Sequence, residues 1–234
     1  MARSKFLTLR GVGLLMVIVA LLAILSWAGL RANAAWHFIE AQAIAKPLFE
    51  TGGGSTAAFE TSQSHVNTAL RRFPGNPDYL DFAGRLLVLQ SSQPGVMGTE
   101  RRMLLESAAV NFRQALTVRP LWPYSWVNLL STKDKLGQVD MEFNEALNRS
   151  AELGPWEPRV QLQVVESGLR YWSRLGSAER AVVQQKVLDA LKVQPREVFV
   201  TVKDYGRADL LCGVRDTYVQ IMKWCEEVLP QKQG

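Results

Sequence analysis

Two histidines, His37 and His65, two cysteines, Cys212 and Cys225, and the triplet Gly52-Gly53-Gly54 are the residues whose chemistry must be weighed first. A hydrolytic triad or a zinc site needs a histidine in register with further nucleophiles or ligands, and neither histidine has that company. Both read as ordinary residues on helix surfaces. The adjacent carboxylates Glu226 and Glu227 project to different faces of a helix and cannot work as a pair. The glycine triplet sits in no Walker or dinucleotide-binding pattern. The cysteines form no Cys-x-x-Cys motif and are too far apart to meet within one straight helix. They read first as two small buried hydrophobes, with a disulfide across a helix hairpin as the alternative. The sequence therefore predicts no catalytic residue, no cofactor and no metal, and a protein that is not an enzyme.

The aromatic residues make a stronger pattern. Trp122, Tyr124 and Trp126 follow Pro120, Trp156 follows Pro155, and Tyr171-Trp172 comes on the next segment. Exposed Trp and Tyr anchor a partner peptide or lie against a sugar ring, because each offers a large contact area at small entropic cost. The competing use is to fill seams between helices, which suits Trp126. Trp122, Tyr124 and Trp156 are the candidate partner-binding residues, with a protein as the expected partner and polysaccharide as a further candidate.

Something must hold these residues outside the cytoplasm. Gly11 to Leu30 carries no charge over 20 residues, which as a helix spans about 30 Å of hydrocarbon. Four of the 27 basic side chains, Arg3, Lys5, Arg10 and Arg31, lie in the first 31 residues, which contain no acid, so the remainder nearly balances against 22 acids. That distribution argues against nucleic acid as a partner. It predicts a cytoplasmic N-terminus (1–10), a single transmembrane helix (11–30) and an extracytoplasmic remainder. A cleaved signal peptide is the competing reading, since Ala32-Asn33-Ala34 has a small-x-small form. The long apolar run, with Arg31 just before that site, favours an uncleaved anchor. Residues 31–54 then read as a stalk ending in a flexible glycine joint, and 55–234 as the folded domain.

Beyond the joint, apolar residues recur at helical spacing between prolines and glycines. The pattern predicts helices over 56–73, 78–91, 101–118, 123–136, 139–153, 157–175, 178–193, 196–205 and 215–229. Three of them end alike, in Ala69-Leu70-x-x-x-Pro74, Ala115-Leu116-x-x-x-Pro120 and Ala190-Leu191-x-x-x-Pro195, with a looser fourth ending at Gly154-Pro155. The successive spacings of these prolines, 46, 35 and 40 residues, lie at or above the tetratricopeptide period of about 34. Leu80-x-x-Ala83-Gly84-x-x-Leu87 resembles the first-helix pattern of that repeat. Ala108-x-x-x-Phe112 with Ala115 and Pro120 resembles the second, and Trp126 falls where the next large residue belongs. Gly84, Ala108 and Ala115 are expected where helices approach closely, Phe112 and Trp126 where a gap needs filling, and Pro120 where one helix stops and another starts. Lys133 departs from the pattern, standing where an aromatic is expected, and 91–99 looks like an insertion. The expected fold class is all-α, a tetratricopeptide-like helical-repeat solenoid with one N-terminal transmembrane helix.

The stretch 112–163, above all FRQALTVRPLWPYSWVNLL and ALNRSAELGPWEPRVQLQ, resembles a family of small single-span accessory proteins of bacterial exopolysaccharide (Vps-type) biosynthesis clusters. The resemblance implies a scaffold that assists polysaccharide assembly or export at the inner membrane, with polymerase, ligase or export components as partners. It carries over no functional residue. The alternatives are a general extracytoplasmic chaperone or assembly factor for a secretion or cytochrome complex, and an enzyme whose site has no recognisable motif.

Overall fold

A computed structural model describes residues 2–212 together with Lys223 and Cys225. Among them every regular element is helical: α1 (Ala2–Thr51), α2 (Thr56–Arg72), α3 (Pro77–Ser91), α4 (Gly98–Val118), α5 (Pro123–Leu136), α6 (Met141–Leu153), α7 (Pro158–Arg170), α8 (Ser177–Val193) and α9 (Pro195–Asp204). Short 3-10 turns follow α7 and α9. The all-α expectation holds, and the ends of α2 to α9 fall within a few residues of those read from periodicity. The helix expected over 215–229, with Glu226 and Glu227, lies outside the described residues.

The helix starts have a common cause. α3, α5, α7 and α9 each open with a proline, Pro77, Pro123, Pro158 and Pro195, whose fixed φ suits a first helical turn and whose missing N–H is not needed there. The helices before them also stop alike. Phe73, Arg119, Gly154 and Gln194 cap α2, α4, α6 and α8 with nearly the same backbone geometry, and each cap N–H donates to the carbonyl four residues back. Those four carbonyls belong to Ala69, Ala115, Ser150 and Ala190, all with fully buried side chains. Only a small side chain fits where the chain doubles back, so the recurring alanine is a packing requirement and Ser150 a tolerated substitute.

Each helix packs on its successor, and the odd-numbered helices also pack on one another, α3 on α5, α5 on α7 and α7 on α9. The result is a stack of helix pairs with α3, α5, α7 and α9 in one layer. Two buried clusters fill it. The larger runs from Ala108 and Phe112 through Phe143 and Val164 to Val198 and Leu211. The smaller joins Ala34, Ala41, Ala45 and Leu48 of α1 to Phe59, Val66 and Ala69 of α2 and to Tyr79, Phe82 and Leu86 of α3.

That smaller cluster gives residues 31–54 a part that the sequence reading did not. They are the first helix of a packed pair rather than a stalk. Alanines at 34, 41 and 45 fall on one face of α1 and let α2 approach closely enough for the buried Ser62 hydroxyl to donate to the Ala41 carbonyl at 2.9 Å. The glycine triplet turns this hairpin under restraint. The Gln93 amide donates to the Gly52 carbonyl at 3.1 Å and accepts from the Gly54 N–H at 3.3 Å. Gly52 has φ +75°, a conformation that favours glycine. The first half of α1 is different: Leu14, Leu15, Met16 and Leu25 are exposed along an apolar stretch long enough to cross a membrane.

Candidate partner-binding surfaces

The residues named for helix packing take these places in the structure. Ala108, Phe112 and Ala115 are fully buried. A Cβ at Gly84 would sit 2.6 Å from the Phe112 ring, so α3 and α4 meet at this glycine. Trp126 is half-buried against the larger cluster, and its indole N–H donates to the Pro120 carbonyl at 2.7 Å. Gln161 does the same one pair later, its amide donating to the Pro155 carbonyl. Gln161 on α7 thus makes the contact to a turn carbonyl that Trp126 makes on α5.

Lys133 stands on α5 where an aromatic was expected. Its side chain is 3 % exposed, and its ammonium reaches Asp140 at 2.6 Å and Glu142 at 3.0 Å. Glu142 also takes a two-pronged contact from Arg113 at 2.5 and 2.8 Å. An ion-paired cluster across α4, α5 and α6 thus occupies the place of the expected ring. Arg113, the largest influence, and Lys133 hold Glu142 below the usual carboxylate range against the opposing effect of burial.

The four proline turns lie together at one end of the stack. Arg119, capping α4, pairs with Asp78 at 2.9 Å and Asp81 at 3.1 Å in the first turns of α3. The Ser125 hydroxyl donates to the same Asp81 at 2.7 Å, and burial pushes Asp81 up despite these partners. Tyr124 donates to Glu157, ahead of α7, at 2.5 Å, and Gln194, ahead of α9, donates to the Pro158 carbonyl at 2.6 Å. At the α2 end, Arg31 lies over both Trp27 and Phe73. On this row Trp156 is 81 % exposed and Trp122 42 %. Trp122 leans on Tyr124, ring centroids 5.7 Å apart, beneath Arg119. Of the three aromatic candidates, Tyr124 has its hydroxyl committed to Glu157 and the two tryptophans present exposed rings.

A second surface went unread in the sequence. A shallow groove of about 250 Å³ is lined from α1 by Phe49, from α3 by Arg85 and Val88, from α5 by Asn128 and Lys135, and from α7 by Arg159. Burial, reinforced by the facing Arg159, pushes Arg85 below the ordinary range for a guanidinium. A larger pocket of about 520 Å³ adjoins it over the C-terminal ends of α5 and α7, lined by Lys135, Gln163, Glu166, Arg170 and Tyr171 among others. There Asp134 is buried and accepts from Ser167 at 2.9 Å while Arg170 stands at 3.2 Å. Neither tryptophan borders these two depressions. The signal was present as Arg85, Asn128, Lys135 and Arg159, yet nothing in one sequence says that residues on three helices share a face.

Two pairings differ from the sequence reading. His37 and His65 face each other across α1 and α2 with Nδ1 atoms 3.1 Å apart, so they are not independent surface residues. Cys212 and Cys225 form a disulfide with Cα atoms 5.5 Å apart. The preferred reading as free hydrophobes fails because these Cα atoms lie far closer than the roughly 20 Å that 13 residues of one straight helix would put between them. No group of three or more metal-binding side chains occurs among the described residues. No family model matches the chain, and a search of curated proteins finds no significant match.

Proposed function

We propose that the chain is a membrane-anchored, non-catalytic scaffold that assists exopolysaccharide biosynthesis or export by holding a protein partner on a tetratricopeptide-like stack. The carrying observation is α1. One unbroken helix is both the apolar stretch Gly11–Leu30 and, from Ala34 to Leu48, a wall of the folded stack. A domain built on its own anchor is held at a fixed place beside other membrane proteins, which raises its effective concentration for them.

Further features support parts of this reading. The repeated alanine and proline turns, and a layer of odd-numbered helices, are what a tetratricopeptide-like stack requires. Arg3, Lys5 and Arg10 before the span favour a cytoplasmic N-terminus, and the disulfide suits an oxidising compartment beyond it. Arg31 packs on Phe73 and Ala34 is buried, so the segment beside the candidate cleavage site belongs to the fold. The groove carrying Arg85, Lys135 and Arg159 suits an acidic segment of the partner. The polysaccharide itself comes from the resemblance over 112–163. A polymerase, ligase or export component is the expected partner.

The test is capture from crosslinked membranes by the full-length chain. Polysaccharide-assembly proteins should be recovered, and an Arg85→Glu, Arg159→Glu double variant of unchanged melting temperature should lose them. Recovery of secretion or cytochrome-assembly proteins in their place would assign the scaffold to another complex.

A further inference from the structure

The row of proline turns stands at the level where α1 leaves its apolar stretch. Arg31 follows the last residue of that stretch, and its guanidinium lies 4.3 Å from the Trp27 ring centroid and 3.9 Å from that of Phe73. Phe73 caps α2, so the α2–α3 turn is fixed beside the end of the span. Phe73 meets Tyr79 edge-on at 6.3 Å. From α3 the row continues through Asp78 to Arg119, through Tyr124 to Glu157 and through Pro158 to Gln194. Every turn on which an even-numbered helix gives way to an odd one therefore lies at the end of the stack nearest the span.

That end presents Leu121 at 73 % exposure with Trp122 and Trp156, and Val118 and Val193 are also exposed there. Arg71 and Arg72 are exposed in the last turn of α2, and Arg196 in the first turn of α9. Tryptophan rings with flanking guanidinium groups are the composition of a membrane–water interface, where the ring sits at headgroup level and arginine meets phosphate oxygens. With α1 crossing a bilayer, a partner protein would have to fit between this end and the membrane, whereas lipid headgroups would need no such gap.

We propose that the proline-turn end of the stack rests on the surface of the membrane that α1 crosses, with Leu121, Trp122 and Trp156 seated among lipid headgroups. The stack then lies along the membrane, and its groove faces sideways toward neighbouring membrane proteins. This rests on α1 being a retained span, as proposed above. Its occupant is the bilayer itself rather than a protein.

Full-length chain in lipid nanodiscs containing a headgroup-nitroxide lipid gives the test, read by quenching of a fluorophore on a single introduced cysteine with the native disulfide intact. Val193→Cys places the label at the proline-turn end. Met141→Cys places it on the solvent-exposed first residue of α6 at the opposite end, about 20 Å away by the 13-residue length of that helix. Quenching should be several-fold stronger at position 193 than at 141, and Trp122→Ser with Trp156→Ser should weaken it at 193 while helix content is kept. Equal quenching at both positions, or quenching at 193 unchanged by the double variant, overturns the docked arrangement and leaves the anchor reading intact. A label at 193 that is shielded in native membranes but unquenched in lipid discs overturns it in favour of a protein partner. A chain that does not co-purify with the discs overturns both readings.

Discussion

Arg31 covers the Phe73 ring at 3.9 Å, joining the end of the apolar stretch of α1 to the residue that caps α2. α1 is thereby not a leash but a part of the domain's first layer. It follows that a fragment starting at residue 55 loses Ala34, Ala41, Ala45 and Leu48 from the smaller core and exposes Phe59 and Val66. A fragment starting at residue 32 keeps them. Differential scanning calorimetry should show the longer fragment melting cooperatively and the shorter one much earlier or aggregated; equal melting would mean that α1 contributes nothing to the fold.

Gly84 gives the sharpest test of packing. An added Cβ would press 2.6 Å from the Phe112 ring, while one at Gly75 would meet nothing. Gly84→Ala should cost about 1–3 kcal/mol by overpacking despite the better helix propensity of alanine. Gly75→Ala should be nearly neutral. Combining Gly84→Ala with Phe112→Leu in a double-mutant cycle should recover part of the loss, measured by urea unfolding.

The Lys133 cluster predicts an acid response. Glu142 is held below its ordinary value of 4.5 chiefly by Arg113, so the folded chain binds fewer protons there than the unfolded one. Its contribution is present above about pH 4.5 and is lost as pH falls below it. Glu142→Gln should flatten the fall in urea midpoint over that range. Glu142→Ala should destabilise more than Lys133→Met, since only the former removes an anionic partner from a buried ammonium. The reverse order would show the cluster to be incidental.

How far the sequence reached depended on the range of the interaction. Helix limits were legible because proline and the buried alanines at 69, 115 and 190 act within one turn of the chain. The all-helical class followed from the same local rules. Trp126 and Gln161 both donate to a turn carbonyl, but Gln161 was invisible, because what the two share is a donor rather than an aromatic ring. Lys133 looked like a defect until Asp140, Glu142 and Arg113 surrounded it. The alanine face of α1 read as an unsupported stalk, since its partner helix lies beyond a glycine triplet that reads as a joint. The basic groove needed three helices to be set side by side, and no local pattern encodes that.

The disulfide makes a prediction about compartment. Cys212–Cys225 closes a short loop, and its loss should cost about 2–4 kcal/mol. A gel-shift assay with a thiol-alkylating reagent should find both cysteines blocked in the full-length chain in cells. In a variant lacking residues 11–30, which stays in the cytoplasm, both should be reactive. Reactive thiols in the full-length chain would place the domain on the reducing side of the membrane.

The central claim is that the stack works as a scaffold only where its own helix holds it. Residues 32–234 keep the fold's first layer and lack the span, so they separate tethering from folding. Exported as a free protein at native abundance in a strain lacking the full-length chain, they should fold and yet fail to restore polysaccharide production, while the full chain restores it. Full restoration by the untethered domain would contradict the account.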